Sequence, residues 1–190
     1  MNRCFGDGQP EYERYHDEEW GRPVTSERGL FERLSLEAFQ SGLSWLTILR
    51  KREAFRAAFA SFDPEAVAAF GEADVGRLLA DAAIVRNRSK IEATIANARG
   101  VLALREAGTP LDARVWEHRP PERPAPQAWA DVPSIVPESI ALAKTLKRAG
   151  LRFVGPTTLY ALMQACGLVN DHLARCPARA AVEAAQAGAR

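Results

Sequence analysis

Two cysteines and two histidines near the two ends of the chain have the types and spacing of metal ligands. His172 and Cys176 are four residues apart, which places both on one face if that segment is helical. Cys4 and His16 would complete a tetrahedral Cys2His2 set, which leaves no open position and is typical of structural zinc. The alternative is that the pair arises by chance and that Cys4 is a small buried side chain. One zinc ion on these four residues would tie the first residues to the last.

A single glutamate interrupts the apolar stripe of one predicted helix. Glu37 follows Leu34 by three residues and Leu30 by seven, so it lies on the face that the helix buries. Carboxylates are seldom buried unless they are paired. Periodicity alone therefore favours a structural ion pair or a helix end as the partner of Glu37, ahead of a carboxylate that faces a cleft.

A third pattern is the segment LKRAGLRFVGPTT at 146–158. Gly150 and Gly155 permit a tight turn that leads into a helix with Pro156 at its first position, where backbone N–H groups and the helix dipole favour a phosphate. Four cations surround the turn: Lys144, Lys147, Arg148 and Arg152. The two interpretations are an ordinary αα-hairpin with a solvated basic face and a helix-hairpin-helix clamp on DNA phosphates.

The composition limits the class of protein that could carry these residues. The chain has 190 residues, 47% of them hydrophobic, and its 25 basic and 24 acidic residues give a net charge of +1. This balance excludes a bulk electrostatic coat for nucleic acid, so any such contact must be local. Three cysteines indicate a reducing compartment, and neither a secretory signal nor an apolar run of ~20 residues is present. We therefore expect a cytoplasmic protein without a membrane segment.

Helical periodicity dominates the chain and strict alternation is almost absent, so the sequence predicts an all-α fold. Ser44 and the run Asp63-Pro64-Glu65 have the residue types that begin helices, and Gly42 is predicted to end one. The predicted helices follow the apolar stripes at 30–38, 45–59, 64–70, 75–79 and 91–102, and continue at 138–149 and 156–166.

Two segments depart from this pattern. Seven of the twelve prolines fall between Pro110 and Pro137, which predicts an extended surface connection with at most a short helical turn near Val115 and Trp116. Residues 178–190 are rich in alanine without large apolar side chains, which predicts a flexible tail. We expect one helical domain over residues 1–177, built from two lobes that share a cleft.

Five ordered motifs together resemble the 3-methyladenine-DNA glycosylase I family. They are RC at 3–4, YHDEEWG at 15–21, LFERLSLEAFQSGLSW at 30–45, IVRNRSKIEATIANA at 84–98 and GLRFVGPTTLYALMQACGLVNDH at 150–172. The resemblance covers residues 3–176. It implies an all-α enzyme of the helix-hairpin-helix glycosylase superfamily with one structural zinc. The implied zinc ligands are Cys4, His16, His172 and Cys176.

The resemblance also implies a base pocket. It assigns the catalytic glutamate to Glu37, the stacking tryptophan to Trp45 and two further pocket positions to Tyr12 and Tyr15. Spacing alone favours aromatics as core residues. Many family members have a tryptophan shortly after the first cysteine, where this chain has Phe5.

The resemblance further implies two DNA contacts. Gly42 and Leu43 would fill the gap left in the duplex, for which the alternative is a core leucine. The hairpin positions would be Gly150, Arg152, Val154 and Gly155. Asp171 follows the hairpin but receives no catalytic role.

The implied reaction is base excision: monofunctional hydrolysis of the N-glycosidic bond of 3-methyladenine in alkylated double-stranded DNA, by water and without a Schiff-base lysine. It releases the free base and leaves an abasic site. Two interpretations from other classes stay open, a non-catalytic helix-hairpin-helix DNA-binding module and a zinc-stapled helical scaffold that binds protein. A monomer is expected.

Overall fold

The computed structural model describes residues 3–188, which form ten α-helices, two short 3₁₀ helices and no strand. The all-α prediction is confirmed. The helices are α1 (Pro10–Glu18), α2 (Glu27–Gln40), α3 (Trp45–Ala58), α4 (Pro64–Ala68), α5 (Glu72–Ala80), α6 (Arg88–Glu106), α7 (Leu111–Glu117), α8 (Pro137–Arg148), α9 (Pro156–Ala165) and α10 (Arg179–Ala187). In this part of the chain, no helix combines the length and the apolar character that crossing a membrane requires.

Helix α2 lies at the centre of the fold. It packs against α3, α6, α7 and α9, and Leu30, Phe31, Leu34 and Phe39 are fully buried along it. Because neighbours cover α2 on several sides, the residues near its C-terminus are held in a fixed environment. The site described below is built around that end.

The predicted helix boundaries are confirmed where a side chain caps the helix. The Thr47 N–H donates to the Ser44 hydroxyl at 3.2 Å, and the Ala66 N–H donates to the Asp63 carboxylate at 3.0 Å. Helix α2 ends at Gln40, and Gly42 adopts a left-handed φ of +84° just beyond it. A residue with a Cβ is strained in this conformation, so glycine suits the turn.

Helix α1 was absent from the predicted elements. Its sequence is polar and carries no long apolar stripe, but Pro10 stands at its first turn with Glu11 and Glu13 beside it, which are ordinary helix-start signals. This short helix matters because Tyr12, Tyr15 and His16 all lie on it.

The proline-rich segment is more than a surface connection. Helix α7 occupies Leu111–Glu117, with Leu111 and Val115 fully buried, and the Trp116 indole donates to the Val24 carbonyl at 3.0 Å. The prediction of a helical turn near Val115 is confirmed, and the prediction of a purely superficial segment is wrong. Residues 118–136 lack α-helix, as their prolines require.

The predicted flexible tail is wrong over Arg179–Ala187, which forms α10; residues 189 and 190 lie outside the described residues. Val182 is fully buried, and the Gln186 amide donates to the carbonyls of Gly21 at 2.9 Å and Val169 at 3.0 Å. Because alanine has a high helix propensity, this segment forms a helix readily. Val182 and Gln186 then hold the helix against the rest of the protein.

Replacing Gln186 with alanine should destabilise the protein. Gln186→Ala leaves two buried carbonyls without donors, so the free energy of unfolding should fall by about 1–3 kcal/mol in urea denaturation. The control is Glu183→Ala on the exposed side of α10, expected to change it by no more than about 0.5 kcal/mol. Equal stability of the Gln186 variant and the wild type would show that α10 does not stay docked in solution.

Candidate functional site

A cavity of about 260 Å³ lies between α1, α2, α3 and α9. Six of its ten lining residues are aromatic, and the polar ones are one glutamate and two glutamines. They are Phe5, Tyr12, Tyr15, Trp20, Glu37, Gln40, Trp45, Trp129, Ala161 and Gln164. The volume is slightly below the ~300 Å³ at which small-molecule pockets usually begin. Such a cavity suits one flat ring system.

The aromatic rings form a continuous wall. The ring centroids of Tyr15 and Trp45 are 5.3 Å apart, those of Tyr12 and Tyr15 are 6.3 Å apart, and those of Phe5 and Tyr12 are 4.8 Å apart. Tyr15 and Trp45 are buried, whereas Tyr12 is half-buried at the cavity. The structure therefore brings Tyr12, Tyr15 and Trp45 together with Glu37, four residues that the sequence places in one pocket only through the family resemblance.

Glu37 is buried without a partner. Its side chain is only 6% exposed, and it makes no hydrogen bond or ion pair within residues 3–188. The ion pair that periodicity favours does not form, because Arg33, one turn earlier, donates instead to Glu19 at 2.7 Å. Burial raises the pKa of Glu37 to about 8, and the charge of Arg33 opposes the rise. The carboxyl group therefore exchanges its proton close to neutral pH.

A second polar group in the wall also lacks a partner. The Trp45 indole N–H is buried and reaches no acceptor in the described part of the chain. Burial and the charge of Glu37 raise the pKa of Tyr12 and Tyr15, so both hydroxyls are neutral and can donate. Buried polar groups are rarely left unpaired in folded proteins. A ligand with its own donors and acceptors would satisfy them.

Gln164 lines the cavity although it is not among the predicted site residues. Its amide donates to Asp171 at 2.9 Å, and the same carboxylate accepts from Tyr160 at 2.5 Å and from Arg123 at 2.9 Å. Asp171 thus accepts three hydrogen bonds from within the protein. No spacing signal marks Gln164, because Ala161, three residues earlier on the same face of α9, is not a predicted pocket residue either.

The four predicted metal ligands form one buried cluster, with ligand atoms within 4.8 Å of one another. The Cys176 sulfur lies 3.4 Å from His16 Nε2 and 3.4 Å from His172 Nδ1, and the Cys4 sulfur lies 3.7 Å from His172 Nδ1. Tetrahedral zinc with Zn–S of ~2.3 Å and Zn–N of ~2.0–2.1 Å places sulfur and nitrogen about 3.6 Å apart. The donor set and its spacing therefore fit a zinc ion.

The surroundings of the cluster also suit a metal. The second ring nitrogens are bound, His16 Nδ1 to Asp17 at 2.8 Å and His172 Nε2 to the Trp20 carbonyl at 3.1 Å, which fixes both rings. Burial lowers the pKa of His172 to about 4, so this ring is neutral and can bind a cation. Burial raises the pKa of Cys4 to about 12, so a thiolate there needs a cation beside it.

His172 and Cys176 come together through a turn and not on one face of a helix. Helix α9 ends at Ala165, and His172 and Cys176 lie in a turn in which the Cys176 N–H donates to the Leu173 carbonyl at 2.8 Å. The predicted end of this helix near Cys166 is therefore confirmed, and the shared helical face, which required the helix to continue, does not form. A compact turn brings the ends of a five-residue stretch together as a helical turn does.

The loop after α2 places its apolar residue in solvent. Leu43 is 41% exposed, and Gly42 before it has open space around the position of a Cβ. Since Leu43 is exposed, the alternative of a core leucine is wrong. Gln40, two residues earlier than Gly42, lines the cavity, so the loop begins at the cavity edge.

The hairpin is residues 149–155, between α8 and α9. Gly150 has a left-handed φ of +86°, but the second left-handed residue is Phe153 at +56°, not Gly155, which is extended at −72° and precedes α9. Arg152 and Phe153 are exposed, whereas the Val154 side chain is buried, so only the backbone of Val154 can meet a ligand. The nearest atom to a Cβ at Gly155 would be 4.0 Å away, which leaves room for one.

A larger cavity of about 320 Å³ lies between residues 119–124 and the segments around Asp171 and Arg179. Its charges pair with one another, as in Arg123 with Asp171 at 2.9 Å and Arg179 with Glu183 at 2.8 Å. The smaller cavity, where Glu37 and Trp45 have no partners, is the stronger candidate despite its size.

Comparison with known proteins agrees with this geometry. The chain is 48% identical to DNA-3-methyladenine glycosylase 1 of Escherichia coli K12, over 93% of this chain and 96% of that protein. A crystal structure of 3-methyladenine DNA glycosylase I matches with a TM-score of 0.90 and 47% identity, over 93% of this chain and 98% of the other.

A second solved structure is a tyrosine-to-phenylalanine variant of 3-methyladenine DNA glycosylase I in complex with 3-methyladenine. It matches with a TM-score of 0.89 and 37% identity, over 94% of this chain and 98% of that one. The family model for methyladenine glycosylases matches residues 5–180. The chain therefore belongs to the methyladenine glycosylase family.

Proposed function

We propose that the protein hydrolyses the N-glycosidic bond of 3-methyladenine in alkylated double-stranded DNA and so begins base-excision repair. The observation that carries the proposal is Glu37, a buried carboxyl group without a partner at the wall of an aromatic cavity. A non-catalytic DNA-binding module or a protein-binding scaffold needs no such group. The relative that was solved with 3-methyladenine supports the choice of base.

The chemistry explains why the cavity holds few catalytic groups. A 3-methylated adenine in DNA carries a formal positive charge, which weakens the bond between C1′ and N9. Water adds to C1′ as the C1′–N9 bond breaks. The electron pair of the broken bond passes to the base, so 3-methyladenine leaves as a neutral molecule. The proton lost by the attacking water goes to solvent. The leaving base needs no general acid, and no lysine adduct is formed. The products are the free base and an abasic site.

The main task of the protein is to extrude the lesion and hold it. Flipping a base out of a duplex costs a few kcal/mol. Stacking on Trp45 and the tyrosines would return about 1–3 kcal/mol per base, and a desolvated cation over a ring adds about 2 kcal/mol. These terms together are sufficient to offset extrusion.

Glu37 would distinguish the damaged base from normal adenine. With a pKa raised to about 8 by burial, the empty site holds Glu37 largely as the neutral acid at neutral pH. A cationic base beside it favours the carboxylate, which then accepts a hydrogen bond from the adenine edge. Uncharged adenine provides no such stabilisation and would bind less tightly.

The contacts with DNA are local. In our proposal α8, the hairpin and α9 form a helix-hairpin-helix unit whose backbone N–H groups bind a phosphate, and Leu43 with Gly42 fills the gap in the duplex. The exposed cations around the hairpin support this assignment, because none of them makes an ion pair with a described residue. They are Lys144, Lys147, Arg148 and Arg152.

The proposed zinc has a structural role. Cys4, His16, His172 and Cys176 would hold one ion, which supplies no step of the reaction and joins the first and last parts of one helical domain, onto which α10 also docks. We place the enzyme in the cytoplasm, where thiols stay reduced, and as a monomer, because it approaches duplex DNA without a twofold partner.

The first test measures the bases released from duplex DNA treated with a methylating agent. The wild type should release 3-methyladenine, leave the strand intact until alkali is added, and form no adduct trapped by borohydride. Glu37→Gln should lower the excision rate by about 10- to 100-fold, since it replaces a charge-assisted hydrogen bond of ~1.5–3 kcal/mol. Glu32→Gln is the control, because Glu32 lies on the same helix but pairs with Arg56. If the wild type released no 3-methyladenine from methylated duplex DNA, the proposal would be wrong.

The buried acid also makes stability depend on pH. The pKa of Glu37 rises on folding from 4.5 to about 8, so between these values the folded state binds more protons than the unfolded state. The stabilisation that protonated Glu37 provides is full below about pH 4.5 and is lost as the pH rises to about 8. The free energy of unfolding should therefore fall by a few kcal/mol between these two pH values. Glu37→Gln should lack this slope in urea denaturation. Parallel curves for the two proteins would contradict the burial of an ionisable Glu37.

The zinc proposal is tested by elemental analysis and thermal unfolding. We expect about one zinc per chain. Cys176→Ser should lose zinc and lower Tm by roughly 10 °C, which corresponds to ~3–5 kcal/mol in a chain of this size. Cys166→Ala is the control, since Cys166 is buried outside the cluster and should keep the metal. A fully folded preparation that contains no zinc would refute the proposal.

A further inference from the structure

Helix α6 holds the loop that carries Leu43. The Lys90 ammonium at its first turn is buried, and it donates to the carbonyls of Phe39 at 2.9 Å and Ser41 at 2.6 Å. These carbonyls end α2 and begin the loop of Gly42 and Leu43, where no further helical N–H is available to them. A cation there also complements the negative end of the α2 dipole.

The same helix holds the hairpin. Asn97 is buried, and its side chain makes two hydrogen bonds with one hairpin residue: Oδ1 accepts from the Arg152 N–H at 2.7 Å and Nδ2 donates to the Arg152 carbonyl at 3.0 Å. Two bonds to one residue fix its orientation as well as its position.

A glycine brings the hairpin close to α6. A Cβ at Gly100 would lie 2.6 Å from Leu151 Cδ1 and 3.1 Å from the Ala149 carbonyl oxygen. Gly100 is buried, so a larger residue would push the hairpin away from the helix. Glycine in the middle of a helix lowers the stability of the helix by about 1 kcal/mol relative to alanine. At position 100 glycine is nevertheless required, because the hairpin packs where a Cβ would lie.

We propose that α6 is a spacer that fixes the distance between the Leu43 loop and the hairpin, and that Lys90 and Asn97 are positioning residues for lesion extrusion. Lys90 and Asn97 are seven positions apart in α6, which is a rise of about 10.5 Å and nearly two full turns, so both side chains leave α6 on one side. The inference rests on the proposed function. In that function, Leu43 must enter the duplex at a fixed distance from the phosphate that the hairpin binds.

Kinetics separate this role from a general effect on folding. Lys90→Met and Asn97→Ala should each lower kcat/KM on methylated duplex DNA by about 10- to 100-fold, the effect of a small misplacement. Binding of the free base 3-methyladenine and the zinc content should stay at wild-type values, because neither residue lines the cavity or the cluster. Lys90→Arg keeps a cation with several donors and should recover most of the activity.

Two matched controls are available within the chain. Lys51 also donates to two backbone carbonyls, those of Ala82 at 3.1 Å and Ala83 at 2.9 Å, so Lys51→Met should leave duplex excision unchanged. Gly100→Ala should lower it by displacing the hairpin, whereas Gly76→Ala should not, since a Cβ at Gly76 meets nothing within 4 Å.

Hydrogen exchange tests the spacer without any catalysis. Lys90→Met should speed exchange of the Leu43 N–H, which bonds to the Gln40 carbonyl at 2.6 Å, and Asn97→Ala should speed exchange of the Arg152 N–H. If the wild type excises no base, the proposed function fails. The exchange rates of the Leu43 and Arg152 N–H groups would still show whether α6 fixes the loop and the hairpin. Three results would overturn the inference. Exchange could be unchanged in both variants, or both variants could excise the base from duplex DNA at the wild-type rate. The third result is that the variants lose binding of the free base together with excision.

Discussion

The constraint on which the site depends is a carboxyl group buried without a partner. No described residue forms a hydrogen bond or ion pair with the Glu37 side chain, so the packing of α2 against its neighbours sets its position. Arg33 is close enough to affect its pKa but is held by Glu19, which also binds Arg52 at 2.5 Å. That pairing withdraws the nearest cation and leaves a site in which a positively charged ring is the best available partner.

The metal cluster and the cavity share their walls. Tyr15 and His16 are adjacent on α1, one in the cavity and the other in the cluster, and Cys4 is followed by Phe5, whose ring meets His16 at 4.9 Å and Trp20 at 5.1 Å. The Trp129 indole donates to the Cys4 carbonyl at 2.8 Å. A metal ion in the cluster would therefore also hold the aromatic wall in place. In this way it would support binding of the base without contacting it.

The sequence predicted residues whose chemistry is local and missed those whose role depends on packing. The capping residues Ser44 and Asp63 could be found because a cap depends only on neighbouring residues. His172 and Cys176 could be found as candidate metal ligands because they lie four positions apart. Gln164 could not, because its place in the wall depends on Asp171 from another segment. Helix α10 was missed because its docking depends on carbonyls of distant residues, and alanine-rich segments fray or fold according to such contacts.

A net charge of +1 leaves room for a local positive surface, because the cations are unevenly paired. Many arginines are paired with carboxylates, as Arg56 is with Glu32 at 2.7 Å and Arg33 with Glu19 at 2.7 Å, and such pairs contribute little field beyond their own neighbourhood. The cations at the hairpin are exposed next to a helix start and make no ion pair with a described residue. A chain with balanced charge can therefore present a local positive surface to DNA, and since only a few phosphates would be neutralised, its affinity should depend on salt less steeply than that of a strongly basic protein.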